Sequence, residues 1–264
     1  MNFLSSAPAR REYFPRGLLQ VPGSFRFSAD ALLLAAFALR HCPAKKRQTR
    51  LLDLGCGCGV VGLACLLGNA FISCLGADIF PELAGAAIAN ADRLGLSERY
   101  AAMSVNLELP EERARLPQAT FSLVAANMPF RRAGQGRLPQ NALRKKALFA
   151  DENTLSAFIL SAAQAIAPDG AFALIYPWDE RDALFAALAE HGFRVRAYRG
   201  ICARGLVPTR CLALALPGSR QGEARREKDI VLHSMGETAY TAEAARFCPW
   251  LLCRPWGLTA TCLS

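Results

Sequence analysis

The chain has 264 residues, of which 52% are hydrophobic and 20% are charged, and its formal net charge at pH 7 is +9. This composition excludes a disordered chain, a collagen and a coiled coil, and it predicts a globular protein with a sizeable core. Its ten cysteines stand mostly alone in apolar runs, so neither a disulfide framework nor a metal site is expected. The first 16 residues lack the apolar stretch of a secretion signal, which predicts a cytoplasmic protein.

Short apolar runs alternate along the chain with longer segments of helical periodicity. The predicted strands are residues 50–54, 71–78, 100–105, 121–126, 171–176, 193–202 and 211–216. The predicted helices are residues 29–39 after a Ser28 cap, 59–68, 81–94, 151–167 and 179–191, and a last strand near 230 and a helix from Thr241 follow. Strands that alternate with helices form βαβ units, so we expect an α/β fold. Its sheet would be Rossmann-like, seven-stranded and mostly parallel, with helices on both faces.

A glycine-rich turn, DLGCGCGVVG at residues 53–62, lies between the first predicted strand and the next helix. Residues 54–77, which include most of this turn, carry no charged side chain, but the six glycines of this stretch argue against a membrane helix. In such a turn, backbone amides and the helix N-terminus can approach a ligand closely. The glycines from Gly57 onward, with Asp78 beyond them, also satisfy the dinucleotide pattern. However, a carboxylate at Asp53 would repel a pyrophosphate and attract the ammonium and sulfonium of S-adenosylmethionine, which favours the methyl donor.

This turn resembles the first motif of the class I S-adenosylmethionine-dependent methyltransferases, an acid followed by G-x-G-x-G. The matching residues are Asp53, Gly55, Gly57 and Gly59. The resemblance implies that the three glycines line the methionine and ribose portions of the cofactor and that Asp78 binds the ribose hydroxyls. Asn106 stands where the family usually has an aspartate that accepts from the adenine amine. Asn106 can still accept through its oxygen, in one orientation of its amide.

A second motif, Asn127-Met128-Pro129-Phe130, ends the predicted strand 121–126. It is similar to the N-P-P-Y/F motif of methyltransferases that act on planar nitrogens, with Met128 in place of the first proline. An exocyclic amine is a poor nucleophile until acceptors hold its N–H groups. The Asn127 side chain and the Met128 carbonyl would be those acceptors, and Phe130 would stack on the base. These are the predicted catalytic residues, together with Pro129, which keeps Met128 extended.

Two segments, one before the first predicted strand and one after the second motif, indicate a particular group within these methyltransferases. Residues 25–34 and 133–139 are similar to the bacterial enzymes that methylate the adenine beside the anticodon of a valine tRNA. In that family Asp30 belongs to a segment near the methionine end of the cofactor, although helix capping explains it equally well here. We therefore expect an N-terminal cap segment over residues 1–49, a methyltransferase catalytic domain over 50–218, and an extension over 219–264 that packs on the same domain.

The segment that contains the second motif is strongly basic. Residues 113–150 contain eight lysines and arginines and no acidic residue. Six of these cations follow Asn127: Arg131, Arg132, Arg137, Arg144, Lys145 and Lys146. A positive rim beside the target pocket suits a substrate that carries phosphates. The sequence therefore predicts RNA, in particular tRNA, as the partner, with a solvated loop as the alternative reading of this segment.

The sequence leaves other functions open. A protein-glutamine methyltransferase would hold an amide in the same way, but that family resembles this chain less before Arg50, where its separate helical domain would not fit in 49 residues. A methyltransferase for guanine amines of rRNA is a second alternative. A cofactor-binding RNA-binding protein that has lost catalysis through Met128 is a third.

Overall fold

The computed structural model describes residues 11–24, 26–42, 48–128, 152–218 and 223–252. Its strands are β1 Thr49–Leu54, β2 Ile72–Asp78, β3 Tyr100–Ser104, β4 Phe121–Asn127, β5 Ile166–Pro177, β6 Phe193–Arg204, β7 Arg210–Pro217, β8 Arg225–Arg226 and β9 Ile230–His233. Its α-helices are α1 Ala29–Arg40, α2 Val60–Gly68, α3 Pro81–Arg93, α4 Pro110–Arg113, α5 Glu152–Ala165, α6 Arg181–Glu190 and α7 Ala242–Phe247. None of the helices in these ranges is both long and apolar enough to cross a membrane.

All of these strands belong to one sheet, whose main order is β3-β2-β1-β4-β5-β7-β6. The pairs β1–β2, β2–β3, β1–β4 and β4–β5 are parallel, and β7 runs antiparallel between β5 and β6. The short strands β8 and β9 both pair with β6. The expected seven-stranded, mostly parallel sheet is therefore confirmed for β1 to β7. The strand order reverses between β1 and β4, and ligands bind beside the carboxyl ends of strands at such a switch point.

Helices cover both faces of the sheet, which explains why the central strands are apolar on both sides. Side chains of α1, α2, α3 and α7 form one core with Leu51 and Leu123. The opposite face carries α5 and α6, which pack with Leu52 and Val124. Neighbouring residues of one strand thus enter different cores, as the alternation of side chains along a strand requires.

The structure differs from the sequence prediction at the start of β5 and in two short elements, α4 and β8, that were not predicted. The helix expected over residues 151–167 ends at Ala165, and β5 begins at Ile166, whereas we expected a strand from residue 171. Ile166 pairs with Phe121 before a shift in register brings Ala171 opposite Leu123. Gly170 allows the backbone to pass close to the Phe121 carbonyl, since a Cβ at this position would lie 2.8 Å from that oxygen. This long-range pairing overrides the local helical pattern.

The segment before α1 is held against the glycine-rich turn by a buried asparagine. The Leu19 amide donates to Asn90 Oδ1 at 2.7 Å, and Asn90 Nδ2 donates to the carbonyls of Leu19 and Cys58, both at 3.0 Å. Ser28 caps α1 as expected, with its Oγ accepting from the Asp30 amide at 3.3 Å. The cap and the Asn90 bonds together bring the start of α1 to the carboxyl edge of the sheet.

Candidate functional site

A cleft opens at the carboxyl edge of the sheet, between the start of α1 and the ends of β1, β2 and β4. The sequence-predicted residues among its described lining are Asp30, Gly55, Gly57, Asp78, Asn106, Asn127 and Met128. They come from positions spread over about a hundred residues of sequence, and the fold brings them to one site. The predicted residues Pro129, Phe130, Arg131, Arg132, Arg137, Arg144, Lys145 and Lys146 lie outside the described residues.

The three glycines of the turn have different surroundings. All three have positive φ, at +67° for Gly55, +55° for Gly57 and +86° for Gly59. A Cβ on Gly57 would find no atom within 4 Å, whereas one on Gly55 would lie 3.1 Å from the ring of Phe158. Gly57 therefore leaves a space in the cleft that a ligand can fill. A Cβ on Gly59 would lie 2.9 Å from the Tyr100 hydroxyl and 3.0 Å from Ala87, so Gly59 permits close packing of the turn on β3 and α3. Cys58 and Val60 line the cleft and Gly59 is not among its described lining residues, so the contact of Gly59 with the cofactor stays a prediction.

Asp53 lies beneath the turn, and this corrects the expectation that it faces the ligand. Its side chain is 1% exposed, and its Oδ2 accepts from the Gly62 amide in the first turn of α2 at 2.9 Å. The N-cap residue of this helix is Gly59, which has no side chain to accept from the first amides, so the Asp53 carboxyl group satisfies one of them. Burial raises the pKa of Asp53 to about 7, although the hydrogen bond from Gly62 opposes that shift.

Asp78 ends β2 and holds the turn from the other side. Its Oδ2 accepts from the Gly57 amide at 2.9 Å, and its Oδ1 accepts from the Phe80 amide at 3.0 Å. Burial raises the pKa of Asp78, while these backbone hydrogen bonds oppose the shift. The carboxyl group lines the cleft next to Ile79, Phe80 and Leu83, which form an apolar wall. The site thus offers a carboxylate beside a surface suited to the flat face of a base.

The described lining of the cleft is acidic. It contains the carboxylates of Asp30, Asp78 and Glu108 and no lysine, arginine or histidine. Asp30 Oδ2 accepts from Arg210 Nε at 3.1 Å, and Glu108 Oε1 accepts from the Thr154 hydroxyl at 3.0 Å. Arg210 balances the charge of Asp30, and the carboxyl groups of Asp78 and Glu108 favour a cationic ligand over a pyrophosphate. The electrostatic preference inferred from Asp53 is therefore supplied by other residues.

Asn106 lies in the turn after β3 and is partly engaged there. Its side-chain Oδ1 accepts from the Glu108 backbone amide at 3.1 Å, and the Asn106 backbone amide donates to Glu112 Oε2 at 2.7 Å. A carbonyl oxygen has a second lone pair, so Oδ1 can accept once more. Asn106 lines the cleft, and its expected contact with an adenine amine stays a prediction.

Asn127 is the last residue of β4, and Met128 follows it at the floor of the cleft. Asn127 pairs with Ile175 of β5, which fixes its backbone at the carboxyl edge. The Met128 side chain is 1% exposed and belongs to the core that α5 covers. An apolar, flexible side chain can fill that space, which explains how methionine is accommodated where related motifs have proline.

Sequence reasoning missed several residues of the cleft. Phe158 on α5 contacts Gly55, and Thr154 on the same helix bonds to Glu108. No local signal marks either residue, because each lies many positions from its partner in the chain. Phe80 carries a signal that could have been used, since it follows the acid that ends β2.

The chain is similar in sequence to known methyltransferases. No protein-family model matches the chain. It is 27% identical over 189 residues to the release factor glutamine methyltransferase of Salmonella typhimurium, a match that covers 69% of this chain and 65% of the relative. It is 35% identical over 105 residues to ribosomal RNA large subunit methyltransferase G of Streptomyces coelicolor, which covers 39% of this chain and 26% of the relative. The chain spans 54% to 65% of the length of the three release factor methyltransferases that it matches.

Solved structures show the fold. The crystal structure of a predicted O-methyltransferase from Agrobacterium tumefaciens matches with a TM-score of 0.64 and 22% identity, covering 87% of this chain and all of that chain. The ribosomal protein L11 methylase of Lactobacillus delbrueckii matches with a TM-score of 0.50 and 18% identity, covering 70% of this chain and 78% of that one. The chain therefore has the class I methyltransferase fold.

Proposed function

We propose that this protein transfers a methyl group from S-adenosylmethionine to the exocyclic amine of an adenine in structured RNA, in particular a tRNA. The observation that carries the proposal is the position of Asn127 and Met128 in the same cleft as Gly55, Gly57 and Asp78. Residues suited to hold a planar nitrogen thus share one cavity with residues suited to hold the methyl donor.

The described residues fit that donor. Its methionine portion would lie over Gly55 and Gly57, where the space beside Gly57 admits it. Asp78 would accept from the ribose hydroxyls, and the apolar side chains of Phe80 and Leu83 would contact the adenine. When bound, S-adenosylmethionine supplies a methyl group activated by a positively charged sulfur, which the acidic lining would stabilise.

The chain's own contribution to the reaction is to position the target nitrogen. The Asn127 side-chain oxygen and the Met128 carbonyl would accept from its two N–H groups, which localises the nitrogen lone pair and directs it at the methyl carbon. With the donor bound, a bond from the held nitrogen to the methyl carbon would form as the bond from that carbon to sulfur breaks, and the nitrogen would then release a proton to solvent. The described cleft lining contains no histidine, in keeping with a reaction that needs no strong base.

The basic segment favours RNA as the substrate. Six cations follow Asn127 in the sequence within residues 131–146, so phosphates near the target base would meet positive charge. The amine of a paired adenine is inaccessible inside a duplex, so the target would be a loop base or a flipped base. The similarity to an rRNA methyltransferase also supports this class of substrate.

A second candidate substrate is the side-chain amide of a glutamine in a release factor. The three relatives named release factor glutamine methyltransferase favour it. An amide nitrogen is planar and needs the same two acceptors, so the cleft alone does not discriminate between a glutamine and an adenine.

A labelled-methyl assay separates these candidates. The protein would be incubated with methyl-labelled S-adenosylmethionine and either total tRNA, ribosomal RNA or purified release factor, followed by nucleoside analysis of labelled RNA. We expect label in tRNA as N6-methyladenosine, and a loss of at least 100-fold in rate for Asn127→Ala with donor binding retained. Label in release factor alone would establish the second candidate. Donor binding with no transfer to any acceptor would indicate the binding protein without catalysis.

A further inference from the structure

A second cavity of about 350 Å³ lies at the opposite edge of the sheet from the cleft. Its described lining is Arg11, Leu66, Leu67, Ala70, Arg99 and Trp250. Ile72 begins β2 beside this cavity and Asp78 ends β2 at the cleft, which separates the two sites by roughly 20 Å along the strand. The proposed methyl transfer makes no use of this second cavity.

The two guanidinium groups of this cavity are fixed by backbone carbonyls. Arg11 Nε and Nη2 donate to Leu94 O and Gly95 O, both at 2.8 Å, at the end of α3. Arg99 Nη1 donates to Ile72 O at 3.0 Å and to two other carbonyls, and its Nη2 donates to Leu66 O at 3.2 Å, at the end of α2. Both arginines are therefore preorganised at the ends of helices, so little side-chain entropy remains to be lost when a ligand binds.

The charge of this pair is not balanced within the described residues. Neither guanidinium forms an ion pair with a carboxylate there, whereas Arg199, Arg210 and Arg226 each have one. Each helix C-terminus supplies about half of a negative charge, so the two ends offset about one of the two positive charges. Burial and the nearby charge of Arg11 lower the pKa of Arg99, consistent with two cations close together. Arg11 is exposed and Arg99 is half-buried, so the remaining positive charge of the pair is accessible to an anionic ligand.

Trp250 forms the aromatic side of the same cavity. Its ring lies edge-on to Phe14, with ring centroids 6.1 Å apart, and it reaches α2 near Gly68. An indole beside two guanidinium groups can stack a nucleobase while the arginines contact the adjacent phosphate. A phosphodiester carries one negative charge, which the two arginines would attract.

From this arrangement we infer that the cavity between Arg11, Arg99 and Trp250 is a second RNA contact, which binds a backbone phosphodiester of the substrate away from the methylated base. The inference rests on the RNA substrate of the proposed function. A separation of roughly 20 Å from the cleft is within the span of a folded tRNA, so one molecule can occupy both sites.

The test is the salt dependence of binding to unfractionated tRNA, measured by filter retention without methyl donor. Arg11→Gln is expected to weaken binding and to flatten the plot of log K against log salt by about 0.7 to 0.9, the value for one lost phosphate contact. Arg11→Lys, which keeps the charge, should keep the slope. The matched control is Arg196→Gln, which removes one exposed charge on β6, several strands away, and should leave the slope unchanged. Thermal unfolding of each variant shows whether it is folded.

Three outcomes would overturn this inference: a wild-type protein that binds no tRNA, an unchanged slope in folded Arg11→Gln, or an equal change in Arg196→Gln. A Trp178→Phe, Trp256→Phe protein provides a second measurement, since the fluorescence of the remaining Trp250 should change when tRNA is added and should not change in its Arg11→Gln form. Binding through Arg11 without methyl transfer would contradict the proposed function and leave this site in place. Methyl transfer to RNA with an unaltered slope in Arg11→Gln would contradict this inference and leave the proposed function in place.

Discussion

Gly57 and Gly59 show how one glycine motif serves two purposes. Both have positive φ, yet only Gly57 faces open space in the cleft, while Gly59 lies against Tyr100 and Ala87. Asp53, two positions before the first glycine of the turn, is buried and accepts from the Gly62 amide in the first turn of α2. At the scale of single residues, the motif thus combines ligand access at one position with packing and capping at the others.

Alanine substitutions should separate these roles. Gly57→Ala should cost about 1–2 kcal/mol of stability because of its positive φ, and should reduce affinity for S-adenosylhomocysteine by at least 10-fold, since the new methyl group occupies the cleft. Gly59→Ala should cost about 2–4 kcal/mol, because steric overlap adds to the same backbone strain. Urea unfolding and calorimetry measure the two effects. Equal losses of stability in both variants would contradict this division.

The raised pKa of Asp53 predicts a pH dependence of stability. Its folded pKa is about 7, above its ordinary value of 3.8, so the folded state holds the proton more tightly. The resulting stabilisation is complete below pH 4 and is lost as the pH rises to 7, with an upper limit of about 4 kcal/mol. Asp53→Asn retains an oxygen for the Gly62 amide and does not titrate. Its stability relative to wild type should therefore rise between pH 4.5 and 8 in urea unfolding, and a constant difference would refute the assignment.

At the scale of elements, the cleft depends on contacts between segments that are distant in sequence. Asn90 on α3 joins the segment before α1 to the carbonyl of Cys58 in the turn. Arg210 at the start of β7 holds Asp30 in the first turn of α1. The acidic lining from α1 is thus positioned by α3 and β7.

Asn90→Ala should disrupt this arrangement. The side chain is fully buried and makes three hydrogen bonds to the backbone, each worth about 1 kcal/mol, so we expect a loss of about 2–3 kcal/mol. Affinity for S-adenosylhomocysteine should fall as well, because Gln20 and Phe27 line the cleft from the released segment. Ser97→Ala is the control, since it removes one exposed hydrogen bond to Asp92 and should cost less than 0.5 kcal/mol. Similar midpoints of thermal unfolding for both variants would argue against this role for Asn90.

At the scale of the whole molecule, charge is distributed unevenly. The chain has a net charge of +9, yet the described cleft lining carries three carboxylates and no basic side chain. A basic exterior suits a polyanionic substrate, while an acidic cleft suits a cationic cofactor. Under the proposed function, the acidic lining would hold the cofactor, and the basic segment that follows Asn127 would hold the RNA.

Calorimetry should reflect the acidic cleft. We expect binding of S-adenosylmethionine and no heat from NAD, whose pyrophosphate would face Asp30, Asp78 and Glu108. Asp78→Asn should weaken binding of the methyl donor by about 10-fold to 100-fold, the usual range for a lost charged hydrogen bond. Glu190→Gln, an exposed change at the end of α6, should have no effect. Tight NAD binding would refute the proposed cofactor.

The seven main strands, the long helices, the glycine turn and the acid that ends β2 could be predicted from periodicity and local backbone chemistry. The burial of Asp53 under the turn, the packing of Gly59 against Tyr100 and Ala87, and the positions of Glu108 and Phe158 in the cleft became visible in the fold. Burial and contacts between distant segments govern those features, and no local sequence pattern indicates them. The cavity between Arg11, Arg99 and Trp250 could not be predicted either, because only folding brings these three residues together.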